Sequence, residues 1–256
     1  MTPAQQDLRE RAGKLVAHVR DSVEHRPGER SALRRALGRH PDDTEIRPAA
    51  RRVISPHLHD LHGPQREAVE RAFYAVAALI AAQPRRARDE DIEPTPPGDD
   101  DHPPQPEAPA TADDSGEADH APGPQPSTGA VALDLGSALG NSSVEAAKAR
   151  SPQSSGDRDE QQEAPQEKRL HLLCRQDLDG LHRHLPRIVR FLRSERVAVD
   201  WTRLACDLAT WREGGTNGRN RVAKQWLDGY YRVLSIEETR KRRTKQADDT
   251  PTGDDA

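Results

Sequence analysis

The sequence predicts an all-α chain: two small helical bundles joined by a disordered, acidic, proline-rich insert. Three observations lead there. Apolar residues recur at helical spacing in two separate regions, and no stretch alternates with the period of two that a half-buried strand needs. Only 33% of the 256 residues are apolar while 32% are charged, too little hydrophobic material to order the whole length. The charge is also partitioned. The total is −4, yet residues 1–88 sum to +6, 89–130 to −12, 131–166 to −3, 167–245 to +9 and 246–256 to −4. The periodic regions are therefore basic, and the acid lies in stretches without periodicity.

The elements follow in order. Residues 4–25 carry Leu8, Leu15, Val16, Val19 and Val23 near helical spacing, and His25-Arg26-Pro27-Gly28 ends that helix. Residues 30–37 form a short second helix with Leu33 and Leu37 on one side. Residues 40–63 hold few apolar positions and room for one more short helix. Pro64 suits a first helical turn, and Val69, Ala72, Phe73, Val76, Ala77 and Ile80 then line one stripe of a helix over 64–83. These elements make an N-terminal bundle, 1–88. The insert 89–130 has no base and twelve acids. It reads as a solubilising spacer or as a tethered anion that competes for the basic surface. Residues 131–166 combine a brief ordered island, 131–144, with a polar linker. A C-terminal bundle spans 167–234, and a charged tail 235–256.

Within that second bundle, Leu170, Leu173 and Cys174 belong to one helix. Asp177 or Asp179 caps the next, whose core face is Leu178, Leu181, Leu185, Ile188, Val189 and Leu192. Asp200 caps a third, with Trp201, Leu204, Ala205, Leu208 and Trp211 inside. Gly214-Gly215-Thr216-Asn217-Gly218 reads as a turn, and a last helix buries Val222, Trp226 and Val233.

One helix face is chemically unusual. At about 100° per residue, Arg183, Arg187 and Arg190 lie about 180° from the apolar stripe of the 178–196 helix, and all three project one way. Exposed faces normally mix signs, since like charges at i,i+4 cost a few tenths of a kcal/mol per pair. The nearby acid is Asp179 alone. An anion seated on the stripe explains the arrangement; an arginine-rich solvated face is the plainer reading. Pro186 interrupts the backbone ladder of this helix. Further basic groups flank it: Lys168, Arg169 and Arg175 before it, Arg34 and Arg35 in the short N-terminal helix, Arg212, Arg219, Arg221 and Lys224 around the glycine run. Arg240, Lys241, Arg242, Arg243 and Lys245 read as a solvated tail, because acids follow at once.

Other chemistry is weakly signalled. His57, His59 and His62 with Asp60 read as surface histidines, and His182 and His184 point to different faces. Cys174 and Cys206 read as small core residues, and Trp201, Trp211 and Trp226 as packing residues. No phosphate-cradling glycine loop, GxSxG or paired-carboxylate motif stands out, so neither enzyme chemistry nor a cofactor or metal is expected. No window approaches the 18 apolar residues of a membrane span. The start MTPAQQDLRERAGK lacks a signal-peptide core. With two cysteines in helical patterns, the chain reads as cytoplasmic.

The C-terminal run EKRLHLLCRQDLDGLHRHLPRIVRFLRSERVAVDWTRLACDLATW, residues 167–211, resembles the small subunit of the type I-E CRISPR interference complex (Cascade), the CasB family. The marks are Lys168-Arg169, the leucine helix ending in Cys174-Arg175, the LPRIVRFLRS core, and Asp200-Trp201 opening a helix that closes on Trp211. LDLGSALGNS (133–142) is similar to the family's LG-x-A-L segment; RSALRRAL (30–37) and RAFYAVAALIAAQP (71–84) are similar to its N-terminal motifs. The likeness covers about three-fifths of the chain, and the two polar inserts depart from it. It implies a non-catalytic helical subunit lying in tandem with a second copy of itself. Its implied partners are the other Cascade subunits, the guide RNA and the target and displaced DNA strands, with no membrane and no small-molecule substrate. The arginines matching the family are Arg34, Arg35, Arg169, Arg175 and Arg187; the stripe adds Arg183 and Arg190 on physical grounds. Two other readings stand beside it. One is a helix-turn-helix regulator. The other is a scaffold whose basic face docks an acidic protein.

Overall fold

The computed structural model describes residues 2–84, 133–149 and 164–248. The insert 89–130 and residues 150–163, most of the polar linker, therefore lie outside the described residues.

Helix α1 (Pro3–His25) opens on a capping box. Thr2 N donates to Gln5 Oε1 at 2.9 Å and Gln5 N to Thr2 Oγ1 at 3.3 Å, so two orphan donors are satisfied reciprocally. Ala12, Leu15, Val16, Val19 and Val23 form its buried face. Pro27 then starts α2 (Pro27–Arg35), three residues before the helix expected from 30–37, because proline suits a first turn. A short α3 (Pro48–Ile54) runs into a 3₁₀ turn, Ser55–His57, within the 40–63 stretch.

Helix α4 (Gly63–Ala82) buries eleven residues, from Ala68 to Ala81. A helix buried on nearly every side belongs at the centre of a fold. Accordingly α4 packs against α1, α2 and α3 and also against two helices of the C-terminal half.

Helix α5 (Leu135–Ala149) is held by α9 (Gly215–Asp248). Glycine makes that seam. A Cβ on Gly136 would stand 1.8 Å from the backbone oxygen of Trp226, and one on Gly140 would stand 3.0 Å from that of Tyr230. Gly136 and Gly140, one turn apart, therefore let two backbones meet. The start of this segment pairs once with the chain just before Trp201. Leu133 bridges Val199, and Asp200 N donates to Leu133 O at 2.9 Å.

Helix α6 (Pro165–Cys174) buries Leu170 and Leu173. Helix α7 (Leu178–Ser194) is capped by Asp177, whose Oδ1 accepts from Gly180 N at 2.7 Å. It runs on through Pro186 and buries Leu181, Leu185, Ile188, Val189 and Leu192. Asp200 caps α8 (Trp201–Glu213), accepting from Arg203 N at 2.9 Å. Gly214 alone separates α8 from α9. The glycine run expected to be a turn thus lies mostly inside the first turn of α9, with Gly215 at a positive φ of 52°. Helix α9 continues to Asp248, so the basic run 240–245 is helical and exposed.

The two halves meet along α4 and α8, and their apolar residues form one continuous cluster. Trp201, Trp211 and Trp226 are all buried in it, as expected of packing residues. Cys174 and Cys206 are free thiols half-buried at its edge. Among the described residues every regular element is a helix, and no helix is long and apolar enough to cross a membrane.

Candidate nucleic-acid interface

Helix α7 sorts its residues by face. Its apolar positions pack inward, and Arg183, Arg187 and Arg190 are exposed on the opposite side. Among the described residues none of these three guanidinium groups forms an ion pair. Arg193 is different: only 8% exposed, it turns inward with its guanidinium 5.5 Å from the centre of the Trp201 ring.

Asp179, the acid within α7, is engaged elsewhere. Asp179 accepts from Arg71 of α4 in an ion pair, and that hydrogen bond holds its carboxyl below the usual carboxylate range. Among the described residues the stripe is thus left without a carboxylate partner.

Arg34 and Arg35 lie exposed in the last turn of α2, with no carboxylate partner among the described residues. Leu37, two residues beyond Arg35, lines the same groove as Leu79 of α4 and Pro186, Val189 and Arg190 of α7. The end of α2 therefore adjoins the C-terminal half of the stripe. The α6 arginines are arranged differently. Arg169 lays its guanidinium on the Phe191 ring, 4.0 Å from the centroid, so its flat face is occupied and only its N–H edges remain to meet an anion. Arg175 is exposed where α6 turns into α7. At helical spacing it points about 120° away from Arg169. Arg212 is drawn off by Glu67 of α4 at 2.8 Å.

His18 Nδ1 and His57 Nε2 share a hydrogen bond at 3.0 Å between α1 and the 3₁₀ turn. Burial pushes the Cys174 and Cys206 thiols up to about 11, far from a reactive thiolate. No group of three or more potential metal ligands occurs among the described residues.

What sequence reading missed is long-range. Arg71 and Asp179 are 108 positions apart. No local pattern announces their pairing.

A family model described as CRISPR-associated protein Cse2 matches residues 29–231. The chain belongs to this family. The match spans all seven of the candidate arginines and the helices that carry them. A solved structure titled CRISPR RNA-guided surveillance complex is similar at 34% identity and TM-score 0.60, covering 93% of this chain and 99% of that one. A second, titled CRISPR RNA-guided surveillance complex, pre-nicking, is similar at 35% identity and TM-score 0.60, over 92% and 98%. A crystal structure of CasB from Thermobifida fusca is 18% identical, with a TM-score of 0.49 over 90% and 98%. No curated protein gives a significant match. The Cse2 assignment agrees with the resemblance read from the 167–211 run and with the all-α fold.

Proposed function

We propose that this Cse2-family chain is the non-catalytic small subunit of a type I-E interference complex and binds nucleic acid without reading its sequence. The observation that carries this is the α7 stripe: Arg183, Arg187 and Arg190, exposed, in register and without carboxylate partners among the described residues. Arg34, Arg35 and Arg175 extend the basic surface, and Arg169 contributes its N–H edges. Its partners in this reading are the guide RNA, the target and displaced DNA strands, the other subunits and a second copy of itself. The similarity to chains of RNA-guided surveillance complexes supports it.

The physical logic is electrostatic. Guanidinium forks match phosphate oxygens and carry no information about the base. When a guide invades a duplex, the RNA–DNA hybrid formed is about as stable as the DNA it replaces, so modest backbone contacts decide the balance. Each phosphate neutralised releases counterions, which favours the open state most at low salt.

Equilibrium binding to several unrelated single-stranded oligonucleotides tests this. Affinities that agree across sequences, and fall together when Arg187→Glu is combined with Arg190→Glu in a chain of unchanged melting temperature, support the reading. A preferred palindrome points instead to a regulator, and an affinity within twofold of the parent for the double variant removes the stripe.

A further inference from the structure

A second basic feature lies where α1, α8 and α9 meet. There a cavity of about 210 Å³ is ringed by Arg9 of α1, Arg203 of α8 and Arg221 of α9. Arg9 and Arg221 are exposed, and among the described residues neither pairs with a carboxylate. Arg203 is fixed: its Nε donates to Asp207 Oδ1 at 3.2 Å and its outer nitrogen to Gln225 Oε1 at 3.5 Å. Asp207 is the acid in the cavity wall. Both its oxygens are used, since Oδ2 accepts from the buried Trp226 Nε1 at 2.8 Å. Three cations thus face one fully engaged anion.

The remaining wall is mixed. Gln5 and Thr210 offer hydrogen-bonding groups, and Leu8 with the half-buried Cys206 supplies an apolar side. A bare anion needs no apolar side. No residue of α7 lines the cavity, so it is separate from the stripe.

We propose that this cavity seats one nucleotide of a bound strand, its phosphate between Arg9 and Arg221 and its base against Leu8 and Cys206. This rests on the nucleic-acid reading above, with the strand passing from the α7 face to a second, concave contact. The paired and clamped Arg203 serves as a fixed donor, while Arg9 and Arg221 close on the phosphate.

The indole N–H resonances of the full chain provide the test. The Trp226 N–H is bonded to the cavity wall, whereas Trp201 lines no part of it and serves as the control. The chain is titrated with a nucleoside 5′-monophosphate and, in parallel at constant ionic strength, with inorganic phosphate. The nucleotide is expected to move the Trp226 resonance saturably and leave Trp201 still. Arg9→Gln with Arg221→Gln is expected to weaken that response at least tenfold without altering the rest of the spectrum. Absence of a saturable Trp226 shift overturns the proposal, as does an equal response to inorganic phosphate, which reduces the cavity to an anion seat. A single-stranded oligonucleotide is titrated last. If it fails to bind while the mononucleotide still shifts Trp226, the stripe reading falls and the cavity is a seat for a free nucleotide, which overturns its place on a strand.

Discussion

Arg71 of α4 and Asp179 of α7 form an ion pair that spans the two halves of the chain. The Arg71 side chain is only 13% exposed, whereas that of Asp179 is 70% exposed. The pair therefore does two things of unequal weight. As a stabilising contact it is small, because solvent screens the carboxylate. As an arrangement of charge it matters more, since it turns the acid of α7 itself toward another helix.

Asp179→Ala is expected to lower stability by no more than about 1 kcal/mol. It is also expected to tighten oligonucleotide binding slightly, because a nearby negative charge is gone. Arg71→Ala is expected to cost more, since its aliphatic stem is packed. Denaturant unfolding of both variants checks the order. A larger loss from Asp179→Ala than from Arg71→Ala contradicts it.

A glycine of the α5–α9 seam and one of α1 should respond oppositely to alanine. Gly136→Ala drives a methyl group into the backbone of Trp226, and α5 or α9 must shift. Overpacking of this kind costs about 1–3 kcal/mol or more. Gly13, inside α1, is open on its side-chain side, with nothing within 4 Å of where a Cβ would stand. Gly13→Ala is expected to stabilise the chain by about 0.4–1 kcal/mol, through the unfolded state and helix propensity. Thermal melts of the two single variants should move in opposite directions, and a harmless Gly136→Ala would mean that the two backbones do not meet there.

A buried and a half-buried group oppose each other in acid. Burial pushes Asp207 up to about 6, against the hydrogen bonds from Trp226 and Arg203 that pull it down. Burial pushes His182 down to about 4, helped by the Arg71 charge. The raised Asp207 favours the folded state below its ordinary value near 3.8 and loses that contribution as pH rises through 6. The depressed His182 favours folding above 6.5 and loses its contribution as pH falls through 4. Each is on the order of 3 kcal/mol, so between pH 4 and 6.5 they largely offset. Asp207→Asn should leave a chain that weakens more steeply than the parent on acidification. His182→Asn should leave one that weakens as pH rises from 4 to 6. Urea midpoints across that range decide it, and parallel profiles for the two variants would refute the opposition.

Local chemistry carried most of the helical reading. The capping aspartates Asp177 and Asp200 sit where their side chains meet free backbone N–H groups, and the α7 faces separate as the spacing implies. The readings that differ depend on distant partners. LDLGSALGNS reads as part of a brief ordered island ending at 144, yet α5 extends to Ala149, packed on α9 through those glycines. The 214–218 run looks like a turn, yet only Gly214 separates two helices. At the site, the exposure of Arg183, Arg187 and Arg190 was legible from periodicity. The stacking of Arg169 on Phe191 was not, nor was the convergence of Arg9, Arg203 and Arg221 from three helices. Both depend on tertiary packing that no local window contains.

The salt dependence of single-strand binding tests the central claim most directly. Each arginine–phosphate contact adds about 0.7 to the slope of log affinity against log salt. Replacing Arg183, Arg187 and Arg190 together by glutamine should therefore flatten the slope by about 2, with the melting temperature nearly unchanged. An unaltered slope in a folded triple variant would show that the strand does not lie on α7.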